Sequence, residues 1–469
     1  MQASSQVLTL DKAIYDLVYQ TTFAKEQKLA YESELLQYEN YRKSYLPAFN
    51  VNLSPIGFNH SMRLLQNYMT GEYTNVDEFS NSSNVGMSIT QKVGLTGGSL
   101  NFRSSLNYLY EFANTKNSFS TTPLYIGYSQ PLLGGTKLYN YERRIQEKRH
   151  DMALKHYCSS ISQEQQEIVS LYLDAYLSVA DTSYYHRKVT IGDSLLLHAH
   201  LKREAGKMTE YDFSQIELEQ TGNQIQLRKS RFAHNSAMEK LSETLHACVE
   251  MLAPLDASVL PKLLDEDWVN ELIRRNSPDW QDWQIRCLSA EQTLYQSDLA
   301  TRFNADISIG YGLNQYGNTI SEAYQQPDQQ QSMMVTFNIP IFQWGINRNK
   351  RVMAHNEYQT VLFEHEMQMD NLRNEVHQLV FSYNSIIDLV ALAEKRYLLA
   401  GDQYLRTAQL YNAGKVSLIE LQNADNEYLA SKQEYLSTIQ DVYIHYFRIR
   451  HLTLYDFVIQ KNLSDYLTI

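Results

Sequence analysis

Residues 346–413 read INRNKRVMAHNEYQTVLFEHEMQMDNLRNEVHQLVFSYNSIIDLVALAEKRYLLAGDQYLRTAQLYNA, with no proline and one glycine, Gly401. Leu362, Met369, Val376, Tyr383, Val390 and Tyr397 recur at every seventh position. Leu372, Leu379, Ile386, Ala393 and Ala400 recur on the position three further on. An apolar period of this kind is a coiled-coil seam. At 1.5 Å per residue such a helix is roughly 100 Å long, too long to be wrapped in one globular core. It has to pack sideways on other long helices.

Upstream of this helix the period drops to two. Phe303, Ala305, Ile307, Ile309, Tyr311 and Leu313 form one strand pattern, and Met333, Val335, Phe337, Ile339 and Ile341 its partner, ending in IPIFQWG at 339–345. The first half of the chain has the same order. A helix is expected over 8–45, with Thr9 as N-cap and Leu46-Pro47 as its stop. Phe49, Val51 and Leu53 follow as a strand, then a polar loop rich in Asn and Ser to about 84. A hairpin over 85–112 turns at Thr-Gly-Gly, and a last strand ends in QPLLGG at 130–135. Long helices are expected over 136–253, a further helix over 265–300, and long helices again over 346–455.

The chain therefore reads as a duplication. Ala205-Gly206-Lys207 with Thr209 and Asp212 matches Ala413-Gly414-Lys415 with Ser417 and Glu420, each pair 208 positions apart (413 − 205). Pro131 and Pro340, where strand gives way to helix, are 209 apart (340 − 131). Self-similarity at a fixed offset outranks any single residue as a fold signal. The first repeat is placed at 1–264 with barrel-type strands over 48–133, and the second at 265–469 with strands over 303–342. The expected class is α+β.

Composition narrows the function. The net charge is −12 with a pI of about 5.6, and no basic tract occurs, which argues against nucleic-acid binding. No apolar run of about 18 residues suggests a transmembrane helix, but this does not exclude a β-barrel, whose strands are apolar only at alternate positions. The start, MQASSQ, has neither a charged n-region nor an apolar h-region, so the chain is either cytoplasmic or has lost a signal peptide. Cys158, Cys248 and Cys287 lack metal spacing and read as small buried residues, with a Cys248–Cys287 disulfide as the alternative. His198 and His200 face different sides of a helix, and His365 has no partner at i+4. No Ser/His/Asp order, phosphate loop or Cys/His cluster points to an enzyme, a cofactor or a metal.

The strand ending in Gln130-Pro131-Leu132-Leu133-Gly134-Gly135, its second copy from Pro340 to Gly345, the early Leu46-Pro47, and Tyr-Asn-Ala-Gly-Lys at 411–415 resemble the TolC family of outer-membrane efflux proteins. The resemblance covers nearly the whole chain. It implies a homotrimer in the outer membrane, with most of the chain in the periplasm. Each protomer would give four strands to a shared transmembrane β-barrel, continuous with a periplasmic α-helical coiled-coil barrel. It also implies docking on a periplasmic adaptor (membrane fusion) protein and an inner-membrane pump of RND, ABC or MFS type. The function implied is a passive export duct of a tripartite efflux or type I secretion system. A periplasmic adaptor or coiled-coil scaffold without a pore is the alternative. Cargo is left open by the sequence. One departure stands out. The stretch from Pro47 to Pro131 is 84 positions, against 39 from Thr301 to Pro340, and the excess includes the 85–112 hairpin. In the wall, that hairpin would raise the count to six strands; outside it, the hairpin lies at the outer mouth.

The resemblance also points to residues. Asp212 and Glu420, with Tyr411, correspond to a constriction at the periplasmic tip, where a trimer would present six carboxylates. The same acids complete T-x-x-D and S-x-x-E patterns, which cap helices, and the two roles can coexist. Asn423 and Val416 stand where the family has a second acid and an arginine, so any gate is weaker in charge. Gly206, Lys207, Gly414 and Lys415 are the tip turns for adaptor docking. Pro131, Gly134, Gly135, Pro340 and Gly345 are the strand-to-helix junctions. Tyr108, Tyr110, Tyr125, Tyr128 and Tyr311 are candidates for interfacial girdles.

Overall fold

In the computed structural model, residues 7–66, 69–112, 115–255, 257–413 and 415–465 are described. The chain forms two units. One comprises residues 34–151 and 282–365, the other 1–33, 152–281 and 366–469.

The first unit holds a six-stranded antiparallel sheet. Its strands are β1 (Ala48–Gln66), β2 (Tyr73–Val93), β3 (Gly98–Glu111), β4 (Lys116–Pro131), β5 (Asn304–Gly317) and β6 (Asp328–Asn338), hydrogen-bonded in that order. The expected polar loop before residue 84 is instead the upper half of β1 and β2, 19 and 21 residues long. Asn and Ser are poor strand formers, but here the ladder satisfies their backbone, and Ser82 and Ser83 donate their hydroxyls to the Gly57 and Pro55 carbonyls at 3.1 and 2.6 Å. Pro55 sits at a register shift, where the ladder skips its missing N–H. The 85–112 segment is thus the lower half of β2 together with β3, and it lies inside the sheet. β6 ends at Asn338, earlier than its alternation suggested, because Pro340 cannot continue the ladder.

The helices are α1 (Thr22–Lys43), α2 (Gly135–Glu204), α3 (Glu210–Leu245), α4 (Glu266–Asn276), α5 (Pro278–Ala300), α6 (Ile346–Asn412) and α7 (Leu418–Thr453). The helix expected over 8–45 starts at Thr22, because Thr21 is extended and its hydroxyl accepts the Ala24 N–H at 3.1 Å. Before it, Lys12–Asp16 and Leu17–Gln20 form irregular turns that bury Ala13, Ile14 and Val18. The helix expected over 265–300 breaks between α4 and α5, where Pro278 forces Ser277 into an extended conformation. α3 stops at Leu245 rather than near 253, with His246 left-handed at φ 49° and Ala247 bonding back to Ser242.

In the second unit the long helices share one core. Val376 and Tyr383 of the seam are at most 1% exposed, and none of the other seam residues of α6 in this unit is exposed. Around them lie Ile161, Ile168 and Tyr172 of α2, Leu241 of α3 and Ile439 and Val442 of α7. A buried polar knot joins the elements: Asp456 accepts from Arg450 Nε (2.9 Å), Tyr446 (2.9 Å) and Tyr15 (3.0 Å), and Arg450 also donates to Gln165. The three cysteines are free thiols.

Candidate membrane wall and tip gate

Directly opposed residues of an antiparallel ladder share a face. The register therefore puts Phe49, Val51 and Leu53 of β1 beside Ile89, Met87 and Val85 of β2. The same face continues through Phe102 and Leu106 of β3 and Leu124, Ile126 and Tyr128 of β4. It reaches Ile307, Ile309 and Tyr311 of β5 and Val335 and Met333 of β6. Many of these are open to solvent: Phe49 59%, Leu53 65%, Met333 70%. The opposite face carries Asn50, Asn52, Ser88, Arg103, Ser129, Ser308 and Ser332. An apolar face this large on a soluble surface is a liability, whereas lipid requires it.

Tyrosines mark both ends of the apolar face. Tyr128 lies opposite Leu100 near the lower turn, its hydroxyl 2.9 Å from that of Thr96. Tyr108 and Tyr110 lie at the upper end, where Tyr108 donates to Asn117 at 2.8 Å and Tyr110 packs edge-on against Phe112. Leu100 to Tyr110 is about 34 Å along the strand, or roughly 26 Å of membrane normal at a tilt near 40°, close to the apolar band of an outer-membrane wall. Tyr125 differs from the girdle expectation and lies on the polar face. It covers Gly127, Gly310 and Gly312, its hydroxyl is 3.3 Å from that of Ser332, and Arg103 stacks 5.1 Å above its ring.

The two junctions differ. Pro131 ends β4, Gly134 turns at φ 79° and Gly135 opens α2, in a space where a methyl group on Gly134 would meet Leu299 at 2.3 Å. In the second copy Gly345 turns at φ 82°, but Ile341, Phe342 and Trp344 are 92%, 70% and 84% exposed and Pro340 is half-buried.

At the helical tips, Gly206 is left-handed at φ 63° and closes α2, with its N–H on Arg203 O and the Lys207 N–H on Lys202 O. The Lys415 N–H bonds Leu410 O in the same way; Gly414 lies outside the described residues. Lys207 and Lys415 are exposed, and Tyr411 is half-buried. Thr209 caps α3 by accepting the Asp212 N–H at 3.1 Å, while its hydroxyl donates to the Asp212 carboxylate at 2.6 Å. Ser417 and Glu420 form a complete capping box, with the Ser417 N–H on Glu420 Oε2 at 2.7 Å. This bond to the Ser417 backbone, and then the Ser417 hydroxyl, hold the Glu420 carboxyl below its usual range. Both acids are exposed.

Above the tips lies a layer that the sequence reading missed. Gly192 of α2 leaves a notch for Gln220 of α3, which is 3% exposed and donates to Val189 O (3.0 Å) and Asp193 (2.6 Å). Gly401 of α6 leaves a notch for Tyr428 of α7, whose ring stacks between Tyr397 and Tyr404 at 5.5 and 5.8 Å. Arg187 of α2 pairs with Asp425 of α7 at 2.7 Å, and its guanidinium lies 4.6 Å over Tyr404. Burial raises the Asp425 carboxyl, and Arg187 offsets this only in part. The signal for this layer was present as Gly192 within α2 and Gly401 within α6, 209 positions apart (401 − 192). The partners of those glycines could be known only once the helices were paired.

Residues 271–453 match the family model described as outer membrane efflux protein. Cation efflux system protein CusC of Escherichia coli K12 is 22% identical over 257 residues, covering 54% of this chain and 52% of that protein. The match thus spans about half the length of this curated relative. Among solved structures, the Campylobacter jejuni CmeC outer membrane channel aligns with a TM-score of 0.67 at 12% identity, over 95% of this chain and 85% of that one. The Vibrio cholerae outer membrane protein VceC aligns at 0.63 and 10% identity, over 95% of each chain. The resemblance to the TolC family of outer-membrane efflux proteins is borne out. The fold is shared with these outer-membrane channels.

Proposed function

From this kinship with outer-membrane efflux channels, we propose that the protein is a passive export duct: a homotrimer whose sheets form one transmembrane barrel and whose long helices form a periplasmic tunnel. The observation that carries the reading is the sheet, apolar on one face across all six strands and polar on the other, with tyrosines at both ends of the apolar face.

Exposed helical stripes support the trimer. Tyr211, Leu218, Ile225 and Phe232 of α3 recur every seventh position at 77%, 74%, 49% and 77% exposure, and Leu392 and Leu399 of α6 do the same at 64% and 59%. One stretch of α6 is long and apolar enough to cross a membrane by length and composition alone, and little of it is buried. Glu394, Lys395 and Arg396 lie between Leu392 and Leu399, so a neighbouring helix suits the stripe better than lipid. The matching glycine notches support the duplication, with its repeats at 1–264 and 265–469: Gly192 and Gly401 are 209 apart (401 − 192), and Gln220 and Tyr428 are 208 apart (428 − 220).

In this reading Asp212, Glu420 and Tyr411 line the tip, each acid serving both as cap and as lumen charge, and the turns at Gly206–Lys207 and Gly414–Lys415 meet a periplasmic adaptor beneath an inner-membrane pump. The test is single-channel conductance in a planar bilayer, comparing the protein with the Asp212→Ala/Glu420→Ala double variant. Cation-selective conductance that loses its selectivity in the variant is expected. A pore indifferent to the change would remove the gate and keep the duct; failure of the folded protein to insert would remove the duct.

A further inference from the structure

We propose that the membrane barrel has eighteen strands, three sheets of six, closed by β1 of each copy pairing with β6 of the next. This rests on the trimeric duct reading and departs from the four strands per protomer that the family resemblance implies.

The argument begins with the edges. β1 and β6 are the outer strands of the sheet, and neither has a second partner among the described residues. In hydrocarbon every unpaired N–H and C=O costs several kcal/mol, so an open edge cannot persist. A second copy fits both edges in three respects. First, six is even and each neighbouring pair is antiparallel, so β1 and β6 run in opposite directions and a head-to-tail copy makes an antiparallel pair. Second, the faces agree: Phe49, Val51 and Leu53 on β1 continue the band of Met333, Val335 and Phe337 on β6, while Asn50 and Asn52 continue Ser332 and Thr336. Third, the lower ends are uncovered. Leu46 and Phe49 beside β1 are each 59% exposed, and Ile339, Ile341, Phe342 and Trp344 below β6 are 61–92% exposed. At the first junction Leu132 and Leu133 are less exposed, at 51% and 38%, and Gly134 is packed against Leu299 of its own unit.

The extra strands matter for transport. Eighteen strands about 4.8 Å apart and tilted near 40° enclose a backbone diameter on the order of 35 Å, in the range where porins keep an aqueous channel. Diameter grows roughly in proportion to strand number, so this wall is about 1.5 times as wide as a twelve-stranded one.

The test is cross-linking of the full chain in detergent, with Cys158, Cys248 and Cys287 replaced by serine and the particle mass measured in parallel. Asn50→Cys or Asn52→Cys on β1 is combined with Ser332→Cys or Met334→Cys on β6, all on the polar face, and treated with a short bismaleimide. A ladder ending at a covalent trimer, present only when both strands carry a cysteine, is expected. A trimeric particle that cross-links Asn101→Cys of β3 to Ser332→Cys instead would put β1 and β2 outside the wall and overturn the proposal. So would a trimer with no β1–β6 product from any of the four pairs. A β1–β6 ladder ending at another copy number would keep the seam but overturn both the strand count and the trimer reading.

Discussion

Asp456 shows how much of the stability of the long-helix unit rests on one charge. It is 1% exposed and Arg450 0%, so removing either leaves an ion in a dry core. Asp456→Ala is expected to cost about 3–5 kcal/mol in chemical denaturation followed by helical circular dichroism. Replacing both residues by Leu and Met should cost far less, because no orphan charge remains. Burial raises the Asp456 carboxyl, but Arg450, the Ile459 N–H and Tyr446 together bring it below the ordinary carboxylate range. Its contribution is therefore fully present above about pH 4 and is lost as pH falls through the lower folded value. An acid titration of stability should lose one transition in Asp456→Asn. Glu420 lies on the same side of its ordinary value. Cation selectivity of the proposed duct should therefore persist below the usual glutamate range and vanish only in stronger acid, as read from reversal potentials.

At the scale of elements, the notches decide how the helical hairpins hold together. A methyl group on Gly192 would lie 1.7 Å from Gln220 Oε1, so Gly192→Ala should expel that side chain and cost about 1–3 kcal/mol. Combining it with Gln220→Ala should give less than the sum, a coupling that a double-mutant cycle measures. The Gly401 notch is looser, with Tyr428 Cε2 3.2 Å from the added carbon, so Gly401→Ala should be milder. Disturbance of the ring stack should appear in the near-ultraviolet circular dichroism of the tyrosines. Ser417→Ala removes the cap hydroxyl of α7 and should cost about 1 kcal/mol by the same denaturation assay.

For the whole molecule, the proposed trimer completes the amphipathic sheet and covers the exposed heptad stripes of the long helices. Phe232 and Leu399 are open here at 77% and 59%. In the proposed trimer they are covered, so Phe232→Asp or Leu399→Asp should shift detergent-solubilised particles from trimer towards monomer in light scattering, with helix content retained.

The sequence by itself determined the helices and their seam, the strand-to-helix junctions, the tip caps and the six apolar alternations, because each depends on residues close in the chain. It misread the Asn- and Ser-rich stretch before residue 84, whose own propensity is for loop and which becomes strand only beside β1 and β2 partners supplied by register. It ran one helix through Thr21, where buried Ala13, Ile14 and Val18 impose irregular turns, and another through Pro278, a break that was legible in the proline itself. Only the tertiary structure decided that the 85–112 segment lies within the sheet, that Tyr125 faces the polar side, and that Gly192 and Gly401 each receive a side chain from the next helix. Those outcomes depend on what lies across a hydrogen-bond ladder or a helix pair, and a local pattern carries no record of its neighbour.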